Sequence, residues 1–331
     1  MRNTVFRKSA RARLRDAVYD AGCAVTARFR RKSSRPRTMR QHRRVELIFI
    51  WSVLAMSLIQ IAIFWVYGNA SSIFLAFRDE TGPEITYGLQ NFKYIFNELT
   101  NSASQLIISI KNTLIFFVFG FFVQTPLVYL FSYFIYKKIP GYKVFRFIFF
   151  LPAVLSAVVM TSFYKFMFSP GGPMSEIWRM FTGEAPIFFS NSDYALKLIV
   201  IYNIWSGVGP GLLYYVATFS RIPDDVLEYA RIDVVNSWQE VRYFILPLTW
   251  PFFSTMLFIS LTGIMGSTGP ILLFTQGQYN TSTIDYWMYV NTTGETSLPY
   301  AAAFGLFLTC INMPIAILFR WLANRVETVD Y

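Results

Sequence analysis

The sequence predicts an all-α polytopic membrane protein with six transmembrane helices and both termini cytoplasmic. Composition is the first observation behind this: 54% of the 331 residues are hydrophobic, only 15% are charged, and mean hydropathy is +0.39. A soluble domain carries about a quarter charged residues. The second is a set of six nearly uncharged runs, at 46–67, 112–135, 146–168, 196–219, 248–275 and 299–321. Each is long enough to cross a hydrocarbon core of about 30 Å. The third is that basic residues favour alternate connections, as expected when Lys and Arg stay inside.

The elements follow in order. Segment 1–45 is a basic cytoplasmic tail; residues 1–46 hold 15 of the 30 Lys and Arg against three acids. Next to a span this excess points to anionic lipid rather than nucleic acid. No apolar h-region precedes residue 46, so the tail does not read as a secretory signal. Its Arg- and Ser-rich makeup also suits a mitochondrial transit peptide. Leu14, Val18, Ala21, Val25 and Phe29 have helical spacing, which suits a helix on the inner leaflet as well as a disordered tail suits the composition. The first span, 46–67, is followed by an extracytoplasmic loop, 68–107, whose basic residues are offset by Asp79, Glu80, Glu84 and Glu98. Residues 108–325 then hold five further spans. Their inner connections carry Lys137, Lys138 and Lys143, then Arg221, Arg231 and Arg242. Of the outer ones, 169–195 has only Arg179 and 276–298 has no Lys or Arg.

Absences narrow the function. There is no G-x-x-x-x-G-K-[ST] phosphate loop, no G-x-S-x-G elbow and no Cys/His metal spacing. The single histidine, His42, lies in the basic tail. The span interiors carry essentially no ionisable residue except Lys165, close enough to the outer end of its span to snorkel. An ion-coupled carrier needs buried ionisable groups as a relay. The chain therefore reads as a passage, not an enzyme, with no cofactor or metal of its own and energy supplied from elsewhere.

One stretch is out of place among these spans: "EYARIDVVNSWQEVRYFILP", Glu228 to Pro247. With its approach from Ser220 it forms a cytoplasmic loop, 220–247, which reads as two short helices. Pro223, Asp224 and Asp225 open the first, with Glu228 early in it, as the helix dipole favours. Asp233 ends it and Val234-Val235 form the corner. Ser237 and Glu240 have capping-box spacing for the second, whose apolar stripe is Trp238, Val241, Phe244 and Ile245. Leu246-Pro247 stops it before the next span. Such a pair suits an amphipathic loop on the membrane, or a plug for a partner's groove.

"SRIPDDVLEYARIDVVNSWQEVRYFILPL", Ser220 to Leu248, closely resembles the EAA loop of bacterial ABC importer permeases, E-A-A-x-x-D-G-A followed after a spacer by I-x-L-P. Glu228, Ala230, Asp233, Phe244, Leu246 and Pro247 match. Tyr229 replaces an alanine, Val234 the usual glycine and Val235 the following alanine, which implies an altered corner. "GLQNFKYIF" (88–96), "NTLIFF" (112–117), "FRFIFFLPAVLSAVVMTSFYKFMFSPGG" (145–172), Trp205 with Gly207, and "LFTQGQ" (273–278) extend the likeness over roughly 88–325. The chain is similar to the first permease of maltose and glycerol-phosphate importers, in the carbohydrate branch of type I importers.

The resemblance implies a multi-pass protein of the bacterial cell membrane that forms half of a translocation path for a sugar or oligosaccharide. Its partners would be a second permease, a pair of cytoplasmic ATPases that bind the ATP, an extracytoplasmic solute-binding protein and membrane lipid, with no nucleic acid. Glu228 would pair with a basic group on the ATPase and Ala230 would allow close packing. Asp233 and Val234 would shape the corner, and Trp238 or Phe244 would anchor the second helix before Pro247. Carried over by position from maltose-type members, the substrate path would include Ser206, Gly207 and Pro210 on span four, and Ser260, Ile264 and Ser267 on span five. The family's maltose site has asparagines at the last two positions, which this chain lacks, and that argues against maltose itself. Tyr202, Asn203 and Trp205 are further candidates for stacking and hydrogen bonding, although Tyr and Trp in a span also serve packing. Two other readings stay open: a permease for glycerol phosphate, a polyol or a peptide, and a scaffold or channel that uses 220–247 for docking without transport.

Overall fold

The computed structural model describes residues 39–80, 84–101, 104–223, 225, 228, 236–266, 270–293 and 298–325. The basic tail expected at 1–45 lies almost wholly outside them. The chain divides into two units, Met1–Asn69 and Ala70–Tyr331.

The described part of the first unit belongs to helix α1, residues 39–76. It is built from Met39–Gln60, a π-helical stretch Ile61–Tyr67, and Gly68–Ala76. Its apolar portion, Glu46–Ala76, outlasts the expected 46–67. The Gly68-Asn69 pair does not stop it, because Gly68 keeps helical dihedrals and the Asn69 side chain donates back to the Trp65 carbonyl at 2.6 Å.

In the second unit, a two-stranded antiparallel hairpin pairs β1 (Arg78–Asp79) with β2 (Thr86–Tyr87). Helix α2 (Gln90–Thr100) follows, and its buried Asn91 donates to the Ala76 and Arg78 carbonyls at 3.1 and 2.8 Å. The segment expected as a plain outer loop therefore carries ordered structure. Helix α3 (Gln105–Tyr136) begins seven residues before the predicted 112, where the Ser104 hydroxyl accepts the Ile107 N–H.

The third predicted span, 146–168, is not one straight helix. It is α4 (Tyr142–Val154) and α5 (Ala157–Met167), bent by 116°. Pro152 deprives α4 of one backbone donor near its end. Leu155 and Ser156 are extended, and the Ser156 hydroxyl caps the new helix by accepting the Val159 N–H at 3.3 Å. Lys165 donates to the Leu273 carbonyl at 3.4 Å, so its charge has a protein partner.

The short helix α6 (Pro173–Thr182) leads to α7 (Ala195–Phe219), which packs along α3 and α4. Then comes α8 (Ser237–Thr262), followed by α9 (Ile271–Phe274), α10 (Ile284–Thr293) and α11 (Leu298–Ala323). The fifth predicted span, 248–275, is thus displaced: its helix starts inside the predicted loop and ends at Thr262. The described residues hold five helices long and apolar enough to cross a membrane, or six if the bent pair forms one span. The chain is a multi-pass membrane protein.

Both α3 and α8 contain a π-helical turn just before a proline: Phe119–Gln124 before Pro126, and Val241–Ile245 before Pro247. Proline lacks an N–H, and its ring clashes with the carbonyl four residues back. A widened turn moves that carbonyl aside, and the preceding N–H bonds five residues back, from Thr125 to Gly120 and from Leu246 to Val241.

Three buried clusters hold the second unit together. One joins α3, α7 and α8 through Tyr129, Tyr133, Leu212, Tyr215, Phe219, Val241 and Ile245. Another centres on Ile95, Leu106, Trp287 and Phe304, and the third on Phe116, Tyr164, Ile199, Tyr202 and Phe274.

Candidate functional site

Helix α7 stops at Phe219, where Ser220 folds its hydroxyl onto the Val216 carbonyl at 2.8 Å and Ile222 turns inward to pack on the core. Asp225 and Glu228 have helical backbone and are exposed. Ala230, Asp233 and Val234, with the predicted corner, lie outside the described residues.

The second loop helix opens one residue earlier than its spacing suggests. Asn236 is the N-cap, and its N–H is accepted by the Gln239 side chain at 3.0 Å. Asn caps at least as well as Ser, so the box is Asn236/Gln239 instead of Ser237/Glu240. This frees Glu240 to turn inward. Its Oε1 lies 2.6 Å from Lys137 Nζ, and its Oε2 accepts the Tyr133 hydroxyl at 3.0 Å. Glu240 is 8% exposed. Lys137 counted in the sequence only as an inner-side charge, and Glu240 only as a cap. The available signal was a carboxylate in line with Phe244 and Leu248 on the apolar stripe.

The helix does not stop at Leu246-Pro247. Through the π turn it runs unbroken to Thr262. Val241 and Ile245 are buried against α3 and α7, Phe244 and Pro247 are half-buried, and Trp238 is 59% exposed. Of the predicted stripe, Trp238 alone faces outward. Further along, Thr249 donates to the Ile245 carbonyl at 2.7 Å, so the Tyr129 hydroxyl donates to Thr249 Oγ1 at 2.9 Å. The loop helix and α3 are thus tied at two levels.

The path candidates are more scattered. Tyr202 is buried, with its ring 5.1 Å from Tyr164 and 5.0 Å from Phe274, and Trp205 joins the same aromatic group at 6.1 Å. The Asn203 carbonyl accepts the Ser206 hydroxyl at 3.2 Å. A β-carbon on Gly207 would overlap the end of the Gln124 side chain of α3, a tip that can swing aside. Pro210 is exposed within α7. Ser260 is half-buried on α8, Ile264 is buried in the turn after that helix, and Ser267 lies outside the described residues.

A second polar cluster was not singled out from the sequence. Asn112 donates to the Asn280 and Ser282 carbonyls at 2.7 and 2.8 Å, Ser109 meets the Ser282 hydroxyl at 2.9 Å, and Thr113 accepts the Ile284 N–H at 2.9 Å. These bonds pin the loop after α9, which has positive φ at Gln276, Gly277, Tyr279 and Asn280. Its sequence signal is polar residues at 109, 112 and 113, one face of an otherwise apolar helix.

Residues 96–328 match the family described as "Binding-protein-dependent transport system inner membrane component". The arabinooligosaccharides transport system permease protein AraP of Halalkalibacterium halodurans is 24% identical over 308 residues, covering 91% of this chain and 94% of that protein. The multiple sugar-binding transport system permease protein MsmF of Streptococcus mutans is 25% identical over 287 residues, covering 84% of this chain and 96% of the other. A subunit in the crystal structure of a bacterial ABC transporter involved in the import of the acidic polysaccharide alginate shares the fold. Its TM-score is 0.73 at 22% identity, over 85% of this chain and 96% of that one. The family match covers most of the chain, and the apolar helices, the bent third pair and the inward-tied loop helix accompany it: this chain belongs to the binding-protein-dependent transport system inner membrane component family, as a multi-pass permease.

Proposed function

We propose that this permease forms half of the translocation path of an ATP-driven importer for a sugar or oligosaccharide. In this reading the 220–247 loop docks in a pair of cytoplasmic ATPases, a second permease completes the path, and an extracytoplasmic binding protein delivers the solute. Both termini face the cytoplasm, with the basic tail against anionic lipid, in line with the inside bias of Lys and Arg.

The observation that carries the coupling role is the unbroken helix Ser237–Thr262. It presents Trp238 outward at one end and reaches into the apolar bundle at the other. A push on the loop reaches the span through one continuous helix whose irregular turn, Val241–Ile245, lies between two ties to α3, the kind of docked element that rigid-body switching uses. Glu228, exposed and with helical backbone, supplies the carboxylate for a basic group on the ATPase. Ala230, Asp233 and Val234 shape the corner, and Trp238, with Phe244 and Pro247 behind it, seats the second helix. For the solute, Trp205, Ser206, Pro210 and Ser260 offer stacking and hydroxyl contacts. Tyr202 backs them from its aromatic cluster, Asn203 and Gly207 hold the local backbone, and Ile264 and Ser267 continue the path beyond α8. The carbohydrate class rests on the sugar systems of the relatives.

The test is reconstitution of the complete complex in vesicles with its binding protein. Glu228→Ala is expected to leave ATP hydrolysis running while uptake collapses; normal uptake by that variant would reject the coupling role. A screen of the binding protein against mono- and oligosaccharides, polyols, glycerol phosphate and peptides should return a carbohydrate. A ligand of another class would reject that assignment alone.

A further inference from the structure

The pair formed by Glu240 and Lys137 lies outside the motif residues, yet it sits where the loop helix meets the end of α3. Lys137 is the residue at which α3 ends, and the next residue, Lys138, has a positive φ of 53°. Glu240 closes the first turn of the loop helix, immediately before the π turn Val241–Ile245. The two side chains are 23% and 11% exposed, and the Tyr133 hydroxyl occupies the second carboxylate oxygen. The Lys137 ammonium also lies 5.8 Å from the centre of the Tyr133 ring. A carboxylate, an ammonium and a phenol are thus withdrawn together from water at one junction.

Such a group is a poor device for stability alone. Burying two charges costs desolvation that their attraction roughly repays, so replacing both with neutral groups is often harmless, whereas losing one leaves a buried charge alone. What a pair of this kind does supply is a defined relative position. The neighbouring backbone gives that position a use. The π turn following Glu240 lacks the regular helical ladder over one turn and is the natural place for the loop helix to pivot. Glu240 lies on the loop side of that turn and is tied to α3, so any pivot must carry the end of α3 with it. On the far side, Tyr129 and Thr249 tie the same two helices again.

We infer that Glu240, Lys137 and Tyr133 form a positioning clamp that makes α3 and α8 move as one body when a partner displaces the loop. The three act on transport through the helices they join and touch no solute. This inference rests on the proposed docking of an ATPase at the loop, and the experiment separates the two.

In the reconstituted complex, solute moved per ATP hydrolysed is measured for Glu240→Gln, for Lys137→Met, for the neutral double variant carrying both, and for the charge-swapped Glu240→Lys/Lys137→Glu. Assembly and thermal denaturation are measured in parallel. The neutral double variant is expected to assemble and melt like the parent, while its solute-to-ATP ratio falls about fivefold or more, the scale of a typical coupling free energy. The charge swap is expected to restore much of the ratio. A neutral double variant with an unchanged ratio would overturn the clamp and leave a structural tie. Should the single variants fail to assemble, the two double variants still decide. Glu228→Ala is the control: uncoupling there with normal coupling in the neutral double variant rejects the clamp alone, whereas normal coupling in Glu228→Ala rejects the docking reading beneath it.

Discussion

Gly209 of α7 lies directly against the Phe149 carbonyl of α4, with no room between them for a β-carbon. The contact lets the two helices approach backbone to backbone, which is how helices gain packing energy where lipid removes the hydrophobic incentive. Gly209→Ala must therefore push α4 away from α7. Overpacking of this kind costs about 1–3 kcal/mol. The expected outcome is a lower melting temperature of the purified permease assembly and reduced abundance in the membrane; an unchanged melt would show that α4 yields freely.

Asn112 should be a second point of weakness. Its amide satisfies the buried Ser282 carbonyl and the part-buried Asn280 carbonyl, and Asn112→Ala strands the first. A buried group left without a partner costs about 1–3 kcal/mol. Thermal denaturation should register that loss, and limited proteolysis should cut the 276–283 loop faster than in the parent.

Tyr129→Phe provides the contrast. Thr249 keeps its own bond to the Ile245 carbonyl, so removal of the Tyr129 hydroxyl strands no strong group. The expected loss is about 0.6 kcal/mol, the mean for such bonds between membrane helices. A loss as large as that of Asn112→Ala would mean the hydroxyl has a further role.

Trp238 is exposed in the isolated chain, so Trp238→Ala should leave the melt unchanged. Seated in an ATPase groove, it would instead be an anchor, and truncating such an anchor costs about 2 kcal/mol of binding. Detergent-solubilised permease carrying the variant should retain its ATPase partner roughly thirtyfold more weakly, as measured by titration of the purified subunit. Equal affinity would remove Trp238 from the docking surface.

Pro247→Ala restores an N–H where the π turn had made allowance for its absence. Relaxation to a regular helix would rotate everything before the turn by about 100° relative to the span, the angle per residue of an α-helix. Cysteine crosslinking between position 238 and the ATPase should then change its preferred partner residues. An unaltered pattern would mean that packing of Val241 and Ile245, and not the proline, maintains the π turn.

Much of the architecture could be read directly from residue order, and the misses share one cause. The apolar runs marked each helix long and apolar enough to span among the described residues, and the EAA-like stretch marked the loop and the family. Boundaries shifted where a proline or a cap acted together with its surroundings. Pro152 broke a run that hydropathy alone presents as one span, with Ser156 ready to cap the next helix. Pro247 did not break its helix, because a widened turn absorbed it. The cap moved from Ser237 to Asn236, which caps at least as well and has Gln239 to complete the box, and Glu240 was left to pair with another helix. Tyr202 was a candidate for sugar contact although such a residue in a span more often packs, and its neighbours on α5 and α9 bury it in an aromatic cluster.

Local order along the chain, then, was enough to establish that this is a many-span membrane protein with a polar stretch set between its apolar runs, because hydropathy, charge placement and short motifs depend on neighbouring residues only. Which carboxylate is buried, which lysine faces it, and whether α3 and α8 are joined depend on groups more than a hundred positions apart, such as Tyr133 and Glu240. Their meeting is created by helix packing, and no local pattern encodes it.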